Sequence, residues 1–284
     1  MTPFKGADHF EYFDEIIRKR IKTLHKVGDL LLILVGENPA SLKYVGVKIK
    51  LCEAFNIPVK FIKIDENQPD EKIIGQIASL FEDPKVAGGI VQIPLPRESL
   101  NKIFDIIPSK KDVDLISSTN IARFTGNDFS RLTPVLRATA YFLLYCVTPS
   151  SPMLSPSKCL PLLQRQLVNK SVSIIGRGFL VGAPIAHLLT TLNISLYIPQ
   201  RYHTGDKIYS EFAILGAGKP NLVNGEDIQT KCNVLDFGTT VVDGKIVGDL
   251  NKNSVCDQLG FVSFSPGGIG PLVVRFLLMN HLGI

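Results

Sequence analysis

The segment that decides the fold runs from residue 30 to residue 50 and reads Leu-Leu-Leu-Ile-Leu-Val-Gly-Glu-Asn-Pro-Ala-Ser-Leu-Lys-Tyr-Val-Gly-Val-Lys-Ile-Lys. Its leading aliphatic run predicts a buried strand that ends at Gly36. Asn38 is a favourable helix N-cap, and the proline that follows suits the first helical position. The segment therefore predicts a strand followed by a helix.

A helix that starts at this point carries Ser41, Tyr44 and Lys48 on one face. That face lies at the carboxyl end of a strand, where α/β proteins bind their ligands. A phenol and an amine on one face can act together on a small molecule. The alternative is that Tyr44 packs in the core and Lys48 is a solvated helix charge.

Strand-like and helix-like patterns alternate along most of the chain. Strands are predicted at 30–35, 59–64, 86–93 and 171–175, and helices at 40–55, 70–81, 184–191 and 271–282. Such alternation indicates an α/β fold with a parallel sheet and crossover helices. Asp243-Gly244 suits a tight hairpin turn within 241–247. The segment 128–170 is the least readable; 148–152 and 155–157 look like loops around short helices.

Composition places the chain among soluble enzymes and leaves room for two domains. It has 284 residues, 45% of them hydrophobic and 20% charged, with a net charge of +5. No apolar run is long enough to cross a bilayer, and we see no export signal. The modest charge favours an anionic small molecule over nucleic acid. We therefore expect no membrane or nucleic-acid partner.

The cysteines and histidines indicate neither disulfides nor a metal site. The cysteines are scattered and odd in number, without a Cys-x-x-Cys pair: Cys52, Cys146, Cys159, Cys232 and Cys256. Free thiols in a reducing cytoplasm are the simplest interpretation. The five histidines form no recognisable metal-binding cluster, so we expect no bound metal.

A glycine-rich turn in the second half is a candidate phosphate cradle. It reads Gly176-Arg-Gly-Phe-Leu-Val-Gly182 between a predicted strand and a predicted helix. Glycines permit the tight turn and let backbone approach a pyrophosphate, although Gly182 lies one residue later than usual. Arg177 and Arg201 would favour the 2′-phosphate of NADP over NAD. The alternative is a set of ordinary turn glycines.

Three shorter segments add candidate residues. Gln92 lies in an aliphatic strand that ends at prolines, where a buried amide needs a hydrogen-bond partner. Asp114 closes Lys-Asp-Val-Asp, and the loop 265–271 is dense in glycine and proline. Each also has an ordinary structural interpretation: a satisfied core amide, a helix cap and a chain reversal.

Taken in order, these segments resemble the methylenetetrahydrofolate dehydrogenase/cyclohydrolase family. The matching stretches are 36–50, Gly-Ile-Val-Gln-Ile-Pro-Leu-Pro at 89–96, Lys-Asp-Val-Asp at 111–114, 176–184, Val-Gly-Asp-Leu at 247–250 and Pro-Gly-Gly-Ile-Gly-Pro at 266–271. They span nearly the whole chain, and collinear matches are far more specific than any single motif.

The resemblance implies a two-domain α/β homodimer with a cleft between the domains. It implies a catalytic, folate-binding domain at 1–127, completed by the helix 271–284, and a Rossmann-type nucleotide-binding domain at 128–270. The implied reactions are oxidation of 5,10-methylenetetrahydrofolate to the methenyl form with NADP, NAD being possible, and hydrolysis to 10-formyltetrahydrofolate. Tetrahydrofolate one-carbon derivatives are the implied partners, and the cytoplasm the implied location.

The resemblance also assigns roles to residues. Lys48 matches the catalytic lysine, Tyr44 a ring-stacking tyrosine, Gln92 the glutamine beside the lysine, and Asp114 the pterin-binding aspartate. The further implied substrate-binding residues are Ser41, Pro266, Gly267 and Gly268. The implied cofactor-binding residues are Gly176, Arg177, Gly178, Val181, Gly182, Arg201 and Thr133.

The departures from the family pattern lie mostly on the nucleotide side. Gly178 replaces a usual Ser, Leu115 follows Asp114 in place of Gly, and Leu-Thr-Pro at 132–134 replaces Pro-Cys-Thr-Pro. The usual His-Ser-x-Thr reads Arg-Tyr-His-Thr at 201–204, and Phe-Ser-Pro at 264–266 replaces Pro-Val-Pro. Two alternatives to the bifunctional enzyme therefore stay open: a single-activity relative, either cyclohydrolase or NAD-dependent dehydrogenase, and a binding paralogue without turnover.

Overall fold

The computed structural model describes residues 1–149, 155–255 and 257–284. The chain forms two compact units. The three-stranded unit comprises Tyr12–Phe129 and Val274–Ile284, and the six-stranded unit comprises Met1–Glu11 and Ser130–Val273. Residues 1–11 cluster with the six-stranded unit because Thr2 and Pro3 pair with its strand Phe261–Ser263, whereas the predicted division 1–127 and 128–270 stays a prediction.

The helices and strands are named in chain order. The helices are α1 Phe10–Thr23, α2 Pro39–Ala54, α3 Asp70–Glu82, α4 Ile103–Ile106, α5 Ser118–Thr125, α6 Pro134–Val147, α7 Pro156–Leu167, α8 Gly182–Thr191 and α9 Gly270–His281. The strands are β1 Thr2–Pro3, β2 Asp29–Val35, β3 Val59–Ile64, β4 Val86–Val91, β5 Ser171–Ile175, β6 Ser195–Tyr197, β7 Phe212–Leu215, β8 Val223–Asn224, β9 Asn233–Asp236, β10 Thr240–Val242, β11 Lys245–Val247, β12 Leu250–Asn251 and β13 Phe261–Ser263.

The three-stranded unit is built on the aliphatic strand β2. Its sheet is parallel with the order β3-β2-β4. Leu30, Leu31 and Ile33 are fully buried, as expected for a central strand covered on both faces, and each contributes about 1.5–3 kcal/mol on burial. The chain order reverses between β2 and β4, so their carboxyl ends define a topological switch point.

The six-stranded unit carries a parallel sheet with the order β1-β13-β9-β7-β5-β6. Omitting β1, this is the 2-1-3-4-5 order of a doubly wound α/β sheet, with its switch point between β5 and β7. The core beside β7 and β9 is mostly aliphatic. Both sheets thus confirm the predicted α/β class, and each offers one switch point.

Most predicted elements are confirmed within one or two residues at either end. Asp243 and Gly244 have φ of 47° and 73°, which confirms the tight hairpin turn between β10 and β11. The third strand is shorter than predicted and ends at Val91, so Gln92 lies just beyond it. Helix α1 has a clear amphipathic pattern but was not among the predicted elements.

The largest correction concerns the prediction for the segment 128–170. It contains two full-length helices, α6 of 14 residues and α7 of 12 residues, rather than short ones. Residues 155–157 are not a loop, because Ser155 is the N-cap and Pro156 occupies the first helical turn. The predicted loop at 148–152 lies largely outside the described residues, as does Cys256. The other cysteines are free thiols. No helix in the described ranges is long and apolar enough to span a membrane.

Candidate active site

Helix α2 contains Ser41, Tyr44 and Lys48, the residues predicted to share one face. Asn38 Oδ1 accepts a hydrogen bond from Ser41 N at 3.0 Å, which confirms the N-cap. The Ser41 and Lys48 side chains are buried at 3% and 7% exposure, and Tyr44 between them is half-buried. Lys50 is exposed. The helix therefore buries one lysine and leaves its near neighbour in solvent.

The buried lysine meets the glutamine that follows β4. Lys48 Nζ donates to Gln92 Oε1 at 2.8 Å. The Gln92 backbone N–H donates to Ile33 O of β2 at 2.8 Å, which holds this residue at the switch point. Its Nε2 donates to Ile93 O at 3.2 Å, so the amide oxygen faces the lysine. The amine is thus oriented by a neutral acceptor.

Burial and charge set the protonation of this site. Burial lowers the pKa of Lys48 from the ordinary lysine value, and the charge of Asp114 partly opposes that shift. Burial raises the pKa of Asp114, and the charge of Lys48 opposes the rise. The two groups therefore influence each other. A lysine whose pKa is lowered can be neutral and accept a proton at moderate pH.

The loop that carries Asp114 is fastened on both sides. Asp112 is 1% exposed, and its Oδ2 accepts from Ser117 N at 2.7 Å and from Asn120 Nδ2 at 2.9 Å. Asn280 Nδ2 of α9 donates to Val113 O at 3.1 Å. Asp114 is not a helix cap, because Ser117 caps α5. These anchors were not predicted; the first aspartate of Lys-Asp-Val-Asp was the available signal.

The Asp114 carboxylate itself is available to a ligand. Among residues 1–149, 155–255 and 257–284, none hydrogen-bonds to either of its oxygens, and the side chain is partly exposed. Its loop neighbour Leu115 has φ of 59° and a buried side chain. That conformation is unusual for a bulky residue and favours glycine.

The glycine turn follows β5 at the other switch point. Gly176 has φ of 108°, and a Cβ there would overlap the carbonyl oxygen of Gly216. A Cβ on Gly182 would overlap the carbonyl oxygen of Gly176, so these glycines allow close backbone packing. At Gly178 the nearest heavy atom to a Cβ would lie 3.9 Å away, which leaves this position open.

This turn fits a dinucleotide phosphate. The start of α8 lies at the turn, and its N-cap residue, Val181, makes no side-chain capping hydrogen bond. At the start of α8, Ala183 N donates to Gly178 O at 3.1 Å and Pro184 has no N–H. The positive end of the helix dipole is what favours an anion there. Gly178 and its neighbours Arg177 and Phe179 are exposed residues, and Gly178 lacks a side chain that would keep a pyrophosphate away from the backbone.

The two candidate arginines lie at the same end of the sheet. Arg177 Nη2 donates to Ile198 O at 3.0 Å, just past β6. Arg201 is exposed three residues further along. Tyr202 does not join them, because it is 9% exposed and its hydroxyl donates to Asp206 O at 2.7 Å.

The remaining predicted site residues also lie in the six-stranded unit. Thr133 is the N-cap of α6, where its Oγ1 accepts from Leu136 N at 3.1 Å. Gly267 is exposed with φ of 100°, and Pro266 beside it is also exposed. Gly268 is buried and its N–H donates to Phe264 O at 2.7 Å. The structure thus groups Ser41, Tyr44, Lys48, Gln92 and Asp114 in one unit and the predicted nucleotide residues in the other.

Comparison with known proteins agrees with this division. Residues 4–114 match the tetrahydrofolate dehydrogenase/cyclohydrolase catalytic domain, and residues 154–284 match the NAD(P)-binding domain of the same family. The chain belongs to the tetrahydrofolate dehydrogenase/cyclohydrolase family.

Relatives support the assignment over nearly full length. A protein named bifunctional protein FolD from a Sulfurovum species is 30% identical, covering 94% of this chain and 92% of the relative. One of the same name from Macrococcus caseolyticus is 31% identical, covering 93% and 89%. The crystal structure of the bifunctional enzyme FolD from Campylobacter jejuni superposes with a TM-score of 0.81 at 28% identity, covering 100% and 98%.

Membership in the dehydrogenase/cyclohydrolase family confirms three predictions. The chain is a two-domain α/β protein with a catalytic domain and an NAD(P)-binding domain. It is a methylenetetrahydrofolate dehydrogenase and cyclohydrolase of one-carbon metabolism. It uses a nicotinamide cofactor. Leu115, the residue after Asp114, adopts a left-handed backbone conformation, which is the conformation that favours glycine.

Proposed function

We propose that Lys48 is the general base of the hydrolytic step and that Gln92 holds its amine in place. Addition of water to the cationic methenyl carbon releases a proton, and a neutral amine can accept it. The observation that carries this proposal is the 2.8 Å contact between Lys48 Nζ and Gln92 Oε1, in a setting that lowers the lysine pKa. The amide oxygen accepts one N–H of the amine and so fixes its direction.

We assign the pterin ring to Asp114 and Tyr44. A carboxylate can accept two parallel hydrogen bonds from the two N–H donors of the pterin amidine edge. The half-buried phenol on α2 would stack on the ring. Ser41, Pro266, Gly267 and Gly268 complete the proposed substrate-binding set. An ionised Asp114 would also stabilise a cationic substrate, because opposite charges attract strongly where water is excluded.

A pair of lysine variants tests the catalytic assignment. Lys48→Met should lower the cyclohydrolase rate by about a hundredfold or more, the usual scale for loss of a general base, while folate still binds. Lys50→Met is the matched control, because Lys50 lies on the exposed side of the same helix. It should keep a rate within about twofold of wild type, as for most surface changes. Equal losses in both variants would contradict the assignment.

We propose NADP as the preferred cofactor, held by Gly176, Arg177, Gly178, Val181, Gly182, Thr133 and Arg201. The bound nicotinamide supplies the chemistry of accepting a hydride from the one-carbon bridge. Arg177 and Arg201 lie on adjoining segments, and guanidinium groups pair with a phosphate through two parallel hydrogen bonds. Asp206, a carboxylate in the same loop, is engaged internally because its Oδ2 accepts from His203 N at 2.7 Å.

Nucleotide titrations test this preference. Wild type should bind NADP more tightly than NAD, and Arg177→Ala and Arg201→Ala should each reduce the ratio of the two affinities. Binding of NAD itself should change little, because its ribose carries no 2′-phosphate. Equal affinities in wild type, unchanged in both variants, would show that neither arginine recognises the 2′-phosphate.

We also propose that the protein is a cytoplasmic homodimer. Strand β3 lies at the edge of its sheet, and Phe61 on it is 38% exposed, which suits pairing with a second copy. Cys52, Cys159 and Cys232 are buried free thiols, in keeping with a reducing compartment. Sedimentation should give a dimer for wild type and a larger monomer fraction for Phe61→Asp. A monomeric wild type would exclude the dimer.

A further inference from the structure

Two buried aspartates lie behind the nucleotide turn and belong to none of the site residues above. Asp236 ends β9 and is 2% exposed, and Asp249 precedes β12 and is 0% exposed. Within the described residues neither is paired with a cation, and backbone N–H groups donate to both carboxylates. A buried carboxylate is costly unless it is fully hydrogen-bonded, so this arrangement needs a reason.

Asp249 holds the loop that follows β7. Its Oδ2 accepts from Ala217 N at 2.6 Å and from Gly218 N at 3.1 Å, and its Oδ1 accepts from Lys219 N at 2.8 Å. Three consecutive N–H groups that converge on an anion form a nest, the arrangement that elsewhere binds phosphate. Here a side chain of the protein fills the nest, so the loop has a fixed shape before any ligand arrives.

Asp236 holds Asp249 in turn. Its Oδ1 accepts from Gly238 N at 2.8 Å and from Asp249 N at 3.1 Å, and its Oδ2 accepts from Leu250 N at 3.1 Å. A Cβ on Gly248 would overlap the Asp236 carboxylate, so backbone closes tightly around it. The two carboxylates therefore form a series in which each fixes the backbone of the next segment.

The loop fixed in this way forms one wall of the glycine turn. Gly216 N donates to Ile175 O of β5 at 2.8 Å, and a Cβ on Gly216 would collide with the Val181 side chain. The carbonyl oxygen of Gly216 lies where a Cβ on Gly176 would be. Because β5 and β7 flank the switch point, the loop 216–219 and the turn 176–182 are the two sides of the place where a ligand binds.

We propose that Asp249, supported by Asp236, is a positioning residue for nucleotide binding. It shapes the loop 216–219 against the glycine turn and does so without touching the nucleotide. The inference rests on the proposed nucleotide site at 176–182. In this proposal the Val-Gly-Asp-Leu motif at 247–250, which has no other assigned role, preorganises one side of that site.

The test replaces each carboxylate by its isosteric amide. In Asp249→Asn the amide nitrogen takes the place of one acceptor oxygen, so at least one of the three loop N–H groups loses its partner. The matched control is Glu211→Gln. Glu211, which directly precedes β7, accepts from Ser171 N of β5 at 2.7 Å, so it links the amino ends of these strands at the opposite end of the sheet.

Three measurements are made at pH 8 on the full chain: the NADP dissociation constant by calorimetry, amide hydrogen exchange of Ala217, Gly218 and Lys219 without nucleotide, and cyclohydrolase rate. Asp249→Asn should speed exchange at those amides and weaken NADP binding by about tenfold or more, because charge-assisted hydrogen bonds are lost. Its cyclohydrolase rate should stay near wild type. Asp236→Asn should act in the same direction, and Glu211→Gln should leave the dissociation constant within about twofold, as is usual for changes away from a site.

Two outcomes would overturn the inference, and they are distinguishable. If Asp249→Asn exchanges faster at 217–219 but binds NADP as wild type does, or no worse than Glu211→Gln does, the loop shape is not needed for binding. If wild type binds neither NADP nor NAD, the proposed nucleotide site is wrong and the inference fails with it.

Discussion

The proposed sites at the two switch points differ in composition, because one consists of side chains and the other mainly of backbone. In the three-stranded unit the proposed site consists of side chains, and Lys48, Gln92 and Asp114 are the residues proposed to supply the functional atoms. In the six-stranded unit it consists mainly of backbone, because glycines at 176 and 182 bring chain segments together and Asp249 fixes a loop.

This difference explains where the sequence departs from its family. A site made of side chains depends on the identity of each one, and the residues at 44, 48, 92 and 114 are those to which the motif resemblance assigns roles. A site made of backbone depends on conformation, so side chains can change where space allows. Gly178 stands where the family usually has serine, and its position is open to either residue.

The largest expected effect comes from Lys48→Arg. Arginine stays positively charged throughout the accessible pH range and cannot act as a base. If chemistry rather than charge is required, the cyclohydrolase rate should fall by about a hundredfold or more. Rates under saturating substrate, with circular dichroism to confirm folding, measure this. A variant that retains a tenth of the wild-type rate would mean that charge alone is sufficient.

Asp114→Ala should have the next largest effect. It removes a carboxylate that accepts two hydrogen bonds, and each charge-assisted bond contributes about 1.5–3 kcal/mol. Folate affinity should therefore fall by at least about tenfold, while the melting temperature changes little because the carboxylate has no hydrogen bond among the described residues. Fluorescence titration and thermal unfolding give both quantities. Folate binding that is unchanged would place the pterin elsewhere.

Glycine variants examine the backbone-built site. Gly182→Ala should destabilise the fold by about 1–3 kcal/mol and weaken nucleotide binding, because its Cβ would overlap the Gly176 carbonyl oxygen. Gly178→Ser is the control and should be nearly neutral in stability, since its Cβ has space. Urea unfolding and NADP titration of both variants provide the comparison. Similar losses of stability and of NADP affinity at the two positions would mean that close packing at Gly182 does not determine the effect.

The smallest expected effect is a shift in the pH dependence of the cyclohydrolase rate. Lys48 must be neutral to accept a proton, and burial lowers its pKa below the ordinary lysine value. The enzymatic cyclohydrolase rate should therefore rise with pH and level off below pH 10.5, the ordinary lysine pKa, after subtraction of the uncatalysed reaction. Lys48→Met should show no such rise. A rise that persists in that variant would belong to another group.

Local patterns in the sequence predicted much of the fold and part of the site. The aliphatic run of β2, the Asn38 cap and the Asp243-Gly244 turn are encoded by neighbouring residues, so they could be read without a structure. The face shared by Tyr44 and Lys48 follows from helical spacing alone. The prediction for the segment 128–170 was wrong because apolar residues lie on most sides of α6, and this hides the helical period.

What the sequence determined by itself is chemical identity: which residues carry an amine, an amide or a carboxylate, and which short segments are strands, helices and turns. Tertiary structure decided which of them meet. The contact of Lys48 with Gln92 spans 44 positions, that of Asn280 with Val113 spans 167, and that of Asp249 with Ala217 spans 32. The shifted pKa of Lys48 is likewise a property of its surroundings. Local propensities act over a few residues, whereas burial and hydrogen-bond satisfaction depend on the folded chain as a whole.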